Sequence, residues 1–104
     1  MSDYIKMDIF KLAAEKLNIK EKNLRSTVDL LDSGNTVPFI ARYRKEMTGS
    51  LDEEEIREVE EKVNYLRKLN TRKNEVAQAA EKQDKLNDEL LKNLKEAQSL
   101  QEVE

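Results

Sequence analysis

Residues 51–83 read LDEEEIREVEEKVNYLRKLNTRKNEVAQAAEKQ, thirty-three positions without a single glycine or proline. At about 1.5 Å per residue, one uninterrupted helix of about thirty residues within this stretch runs to about 45 Å. Its start is marked several times over. Ser50 and Glu53 match a capping box, four consecutive acidic residues from Asp52 to Glu55 sit beside the positive end of the helix dipole, and Glu53/Arg57 and Glu58/Lys62 pair at four-residue spacing. Ile56, Val59, Val63 and Leu66 give the first half a strong inward stripe. The second half offers only Leu69, Val76, Ala77 and Ala80, which predicts either an exposed seam that packs on other parts of a larger protein or a solvated helix.

Working outward, the same helical spacing recurs on both sides. Ile5, Ile9, Leu12, Ala13 and Leu17 predict a first helix over residues 4–17, capped by Ser2 or Asp3. Leu24, Val28 and Leu31 predict a second over residues 21–32, closed by Gly34 in a left-handed conformation. A short third helix follows over residues 38–47, with Pro38 in its first turn, where the missing N–H costs nothing, and Gly49 at its end. Phe39, Ile40, Tyr43 and Met47 share one face, Arg42 and Lys45 the other, and Arg44 flanks the boundary. Beyond the long helix, residues 84–86 break the pattern, Asn87 caps a further helix carrying Leu90, Leu94 and Ala97 inward, and Ser99 opens another. A helix beginning five residues before the last position suggests a piece of a larger chain. The expectation is therefore one all-α, multihelical domain over residues 1–104, with a helix-turn-helix-like part and one long central helix.

Composition supports helices and removes much chemistry. The 104 residues are 39% charged and 38% hydrophobic, with two glycines, one proline and five aromatic residues, too few turn formers for a sandwich or barrel. There is no cysteine and no histidine, so thiolate metal sites, thiol nucleophiles and the commonest general base are all missing. The remaining Ser, Thr, Lys and carboxylates form no recognisable catalytic constellation, and the expectation is a chain with no catalytic residues and no cofactor. The carboxylates from Asp52 to Glu55 do not make a metal site, because consecutive helical residues point in different directions. No apolar run resembles a signal peptide or reaches membrane-spanning length, so a soluble, cytoplasmic chain is expected. Net charge is −3, divided as +2 over residues 1–50 and −5 over residues 51–104. Nucleic-acid binding by so acidic a chain has to rest on a local basic face.

Two such faces stand out. Arg42, Arg44 and Lys45 cluster in the third helix, and Lys68 and Arg72 lie four apart on the long one beside Arg67 and Lys73. Read as a helix-turn-helix, residues 21–32 and 38–47 flank the turn at Gly34 and Asn35, with Arg42 and Lys45 toward phosphates. Val37, Pro38 and Phe39 stand where a recognition helix reads bases, which points to phosphate contact without sequence reading. The alternative is that Phe39, Ile40 and Tyr43 are core, while Arg42, Arg44 and Lys45 are solvated or pair with the acidic run from Asp52 to Glu58.

Residues 34–53, GNTVPFIARYRKEMTGSLDE, closely resemble the N-terminal region of the Tex family of transcription accessory proteins. The likeness extends to Leu30-Leu31-Asp32, to REVEEKVNYLRKLNTRK at residues 57–73, and to residues 83–90 and 100–104. It departs at Asp84-Lys85-Leu86-Asn87, where the family typically has Gly-Lys-Leu-Thr. The resemblance implies a helical N-terminal domain in front of a YqgF domain of RNase-H type, helix-hairpin-helix elements and a C-terminal oligonucleotide-binding fold that binds RNA. The implied partners are those downstream domains, the transcription machinery, and RNA or DNA bound weakly and without sequence specificity, but no membrane. Because those domains are not in this chain, the family's principal nucleic-acid-binding residues transfer to none of its positions. An alternative role is a structural scaffold that docks on and orients them.

Overall fold

The computed structural model describes residues 4–103. Within them lie seven helices: α1 Ile9–Leu17, α2 Glu21–Asp32, α3 Val37–Tyr43, α4 Lys45–Thr48, α5 Glu53–Lys82, α6 Asp88–Glu96 and α7 Leu100–Val103, with no strand among the described residues. The all-α expectation and the long central helix hold: α5 is one helix of 30 residues.

Helix ends follow from local chemistry. Asp8, Thr36, Asn87 and Ser99 each accept the backbone N–H three residues on, which satisfies one of the donors that a helix start leaves free. At the C-terminal ends the chain turns through left-handed residues: Asn18 (φ 56°), Gly34 (φ 94°), Gly49 (φ 75°) and Asp84 (φ 56°). Behind three of them the same pair of bonds closes the helix. Ile19 N–H reaches Ala14 O, Asn35 N–H reaches Leu30 O and Lys85 N–H reaches Ala80 O, each with a tighter bond nested inside. Only two of the four are glycines, so Asn18 and Asp84 carry a backbone conformation that their Cβ atoms disfavour.

Residues 8–66 form one compact unit. There α1 packs on α2, and α2 packs on α3 and α4. Ala13, Ala14, Leu24, Val28, Ile40, Leu51, Ile56, Val59, Val63 and Leu66 make its core. Removing a side chain the size of Leu24 completely from water stabilises by about 1.5–3 kcal/mol. Two buried threonines satisfy themselves locally: Thr27 Oγ1 donates to Asn23 O at 2.8 Å, and Thr48 Oγ1 accepts from Leu51 N–H at 3.3 Å.

The start of α5 lies two residues beyond the Ser50–Glu53 box. Ser50 has φ 67° and so cannot serve as an extended cap. The box is Asp52–Glu55 instead, with Glu55 N–H donating to Asp52 Oδ1 at 2.8 Å and Asp52 N–H donating to Glu55 Oε1 at 3.2 Å. This register places buried Leu51 and Ile56 at the spacing of a hydrophobic staple, which the earlier one does not.

Residues 4–7 and 67–103 form a second unit, around Ile5, Leu69, Ala77, Leu94, Ala97 and Val103. The first helix was expected to begin at Tyr4; it begins at Ile9, and the proposed caps Ser2 and Asp3 lie outside the described residues. Residues 5–8 carry no regular structure, and the backbone bonds of Ile5 and Met7 go to side chains. Asn74 accepts from Ile5 N–H at 2.9 Å and donates to Ile5 O at 2.8 Å, and Asn70 accepts from Met7 N–H at 3.3 Å. The two asparagines, one helical turn apart, thus stand in for a neighbouring strand. The apolar positions of α5 beyond Arg67 find partners within this unit: Leu69 and Ala77 are buried, while Val76 and Ala80 are half-buried. Neither alternative holds in full there: Leu69 and Ala77 are not solvated, and only Val76 and Ala80 leave part of an exposed seam.

Candidate nucleic-acid interface

The basic cluster of the first unit is built by a break in a helix. Thr36 caps α3, Pro38 sits in its first turn, and Ile40 points inward with no exposed surface. At Arg44 the backbone leaves helical values, φ −127° and ψ 32°, before α4 resumes and ends at Gly49. A single helix over residues 38–47 is thus replaced by two, and the face assignment changes with it. Phe39 is 36% exposed, Tyr43 53% and Met47 43%, so only Ile40 of the four apolar residues is core.

The exposed aromatics are paired with the arginines. The Phe39 and Tyr43 rings lie 5.2 Å apart, tilted by 48°. The Arg44 guanidinium stands 5.1 Å over Phe39, and that of Arg42 stands 5.4 Å over Tyr43. Arg44 also donates from Nη1 to Tyr43 O at 3.1 Å, which the broken backbone permits. Such cation–ring contacts are worth about 0.5–1 kcal/mol at exposed sites, which biases the arginines toward the rings without fixing them.

Of the two fates the alternative reading offers these cations, solvation or pairing with the acidic run, pairing does not occur among the described residues. Asp52 and Glu55 are used by the capping box, and Glu53 pairs with Arg57 at 3.2 Å. Among the described residues, Arg42, Arg44 and Lys45 make no ion pair. Arg42 and Lys45 border a shallow groove of about 530 Å³, with Pro38 and Leu51 in its walls and Asp52 and Glu53 at its other edge.

Lys68 and Arg72 belong to the other unit, so the five candidate cations are divided between two bodies, three in one and two in the other. Lys68 is exposed; Arg72 is half-buried and lies 3.8 Å from Glu75. Lys73, which the sequence groups with them, is 1% exposed and donates from Nζ to Lys95 O at 3.3 Å. Burial pushes its ammonium below the usual lysine range, with the Glu102 carboxylate opposing the shift. It is a core residue and contributes nothing to a basic surface. The exposure of Phe39 and Tyr43 escaped sequence reasoning, although alternating aromatic and basic residues in FIARYRK carried the signal.

Among the described residues no group of His, Cys, Asp or Glu is arranged to hold a metal ion, and no helix is long and apolar enough to cross a membrane.

The described residues are thus all-α, seven helices with an arginine–aromatic cluster on the outside of a broken one. The chain belongs to the Tex-like family: residues 7–81 match the Tex-like protein N-terminal domain. It is 44% identical to Transcriptional accessory protein Tex of Neisseria gonorrhoeae over 84 residues, 81% of this chain and 11% of that protein. It is 40% identical to Protein YhgF of Escherichia coli over 94 residues, 90% of this chain and 12% of that protein. A more distant relative, S1 RNA-binding domain-containing protein 1 of Pongo abelii, is 33% identical over 97 residues, 93% of this chain and 10% of that protein. The chain thus spans about a tenth of the length of these relatives.

Proposed function

We propose that this module gives a Tex-like transcription accessory factor a weak, sequence-independent contact with nucleic acid, and that it works by binding without catalysis. Arg42, Arg44 and Lys45 form the principal contact, and Lys68 and Arg72 a second one on the other unit. The observation that carries the reading is that three neighbouring cations have no carboxylate partner among the described residues, while Asp52, Glu53 and Glu55 are engaged within their own helix. Phosphates supply the missing counter-charge. The names of two relatives, a transcriptional accessory protein and an S1 RNA-binding domain-containing protein, agree with that setting. A chain of this kind works in the cytoplasm, alongside the transcription machinery.

A salt titration of RNA and DNA binding tests it. Each phosphate contact adds about 0.7 to the slope of log affinity against log salt for a single strand. Arg42→Glu and Lys45→Glu together lower the slope by about 1–2 and weaken binding to all sequences alike. An unchanged slope in that variant would refute the assignment.

A second reading rests on a different place. Val76, Ala80 and Leu90, with Arg72 and Gln83, line a shallow groove of about 300 Å³. In this reading the module is a scaffold that docks on the downstream YqgF-like and oligonucleotide-binding-fold domains and binds no ligand itself. Normal nucleic-acid binding by the full-length protein carrying Arg42→Glu and Lys45→Glu, with none by this chain alone, favours it.

A further inference from the structure

The phosphate contact proposed above explains Arg42, Arg44 and Lys45 but leaves the exposed rings without a role. Phe39 and Tyr43 stand one helical turn apart on α3, in contact with each other and each covered by a guanidinium, so that four planar groups meet on one side of a short helix. A purely solvated face has no use for two large rings, and a purely electrostatic one has no use for guanidiniums placed 5.1 and 5.4 Å from their centroids. Flat, cationic and aromatic surface together is the chemistry that receives an unstacked base: the base lies on a ring or guanidinium plane while its phosphate meets the charge.

We infer that the Phe39–Tyr43 pair, with Arg42 and Arg44, is a base-stacking platform that selects single-stranded nucleic acid over duplex. The inference rests on the phosphate-contact reading and adds to it. In a duplex every base already has its faces covered by its neighbours, so only backbone is available to this surface. A single strand offers both backbone and free base faces. Nothing in the cluster distinguishes one base from another, since its hydrogen-bonding groups are guanidinium N–H donors and one phenol. Selectivity therefore falls on strandedness and not on sequence. Lys45 and Arg42 border the groove that runs beside the platform, where a backbone leaving the rings meets a second cation. Asp52 and Glu53 on its far edge are held by the capping box and by Arg57, so they limit the path without filling it.

The test separates bases from phosphates. Fluorescence anisotropy is followed with a labelled twelve-nucleotide RNA, with an abasic strand of the same length and backbone, and with the RNA annealed to its complement. The base-bearing single strand is expected to bind about fivefold or more tightly than either of the others. Tyr43→Ala and Phe39→Ala, both at exposed positions, are expected to bring that preference close to one while leaving affinity for the abasic strand unchanged; Tyr43→Phe retains it. Circular dichroism of each variant confirms that the helices persist. Equal binding of base-bearing and abasic strands overturns the platform and leaves the phosphate contact standing. A duplex bound as tightly as the single strand, or a preference that survives both alanine variants, also overturns it. Binding to none of the three removes the platform and the phosphate contact together.

Discussion

Lys73 is the sharpest point at which the packing can be interrogated. Its side chain is 1% exposed, and its ammonium has a single hydrogen bond, 3.3 Å to the Lys95 carbonyl in the last turn of α6. Withdrawing an ammonium from water costs several kcal/mol. Against that, a bond to a charged donor returns about 1.5–3 kcal/mol, the negative end of α6 about 0.3–1, and exposed Glu102 less than about 1. These returns do not fully offset the cost, so the charge is left net unfavourable, in the same direction as its lowered pKa. Lys73→Met keeps an unbranched apolar stem and removes the charge, so it is expected to raise stability at pH 7 by about 1–2 kcal/mol, read as a higher midpoint in urea. Lys73→Ala also loses three buried methylenes at about 0.8 kcal/mol each and falls about 2–3 kcal/mol below the methionine variant. The pH dependence has a definite sign. With a folded pKa below the unfolded one, the unfolded chain binds more protons in the interval between them, so wild-type stability rises with pH there. The gap between Lys73→Met and wild type is therefore widest near neutrality and narrows as pH approaches about 10.4, the ordinary lysine value. Tyrosine ionisation affects both proteins and cancels in the comparison. A methionine variant less stable than wild type at pH 7, or a gap that stays constant from neutrality upward, refutes the reasoning.

Asp84 closes α5 at φ 56° with a carboxylate beside the negative end of the helix; Asp84→Gly relieves both and is expected to raise thermal stability by about 0.5–1 kcal/mol after the extra freedom of the unfolded glycine is counted. At Gly49, φ 75°, an added Cβ meets the side-chain amide of Asn23, whereas at Gly34, φ 94°, nothing lies within 4 Å. Both Gly49→Ala and Gly34→Ala force a side chain onto a left-handed backbone and are expected to destabilise by about 1–2 kcal/mol, Gly49→Ala somewhat more because the Asn23 side chain must move; a neutral or stabilising effect of either in denaturant titrations would contradict the strain. Asn74→Ala removes the acceptor and donor that hold Ile5, with an expected loss of about 1.5–3 kcal/mol and faster amide exchange at Ile5; unchanged exchange there would show that the clamp holds nothing.

What the sequence reveals and conceals divides along physical lines. Helix α2 was legible to the residue because its stripe and its glycine terminator agree, and the long run without Gly or Pro gives α5 to within a residue or two. The caps of α5 were ambiguous because both Ser50 and Asp52 stand three residues before a glutamate, and only the burial of Leu51 separates them. Periodicity alone extended α1 back to Tyr4, since Ile5 keeps the helical spacing; its backbone is instead satisfied by asparagines more than sixty residues away, which no local pattern encodes. Lys73 reads as surface charge by composition and is buried by tertiary packing. The basic residues of the candidate site were legible, but the exposure of Phe39 and Tyr43 was not, because hydrophobic spacing assigns rings to a core and is blind to the break at Arg44 that leaves them outside.

The asparagine clamp has a further consequence for how the polypeptide assembles itself. Residues 8–66 are contiguous, and their helices can associate as soon as they leave the ribosome. Residues 4–7 are made earlier yet have their hydrogen-bonding partners at Asn70 and Asn74, 63 and 69 positions later. During synthesis this apolar stretch, Ile5 included, must wait solvated until the second half of α5 has emerged. Loop closure over that separation makes its docking a late event, and a translational pause before Asn70 would prolong the time in which the segment is open to chaperones or proteases.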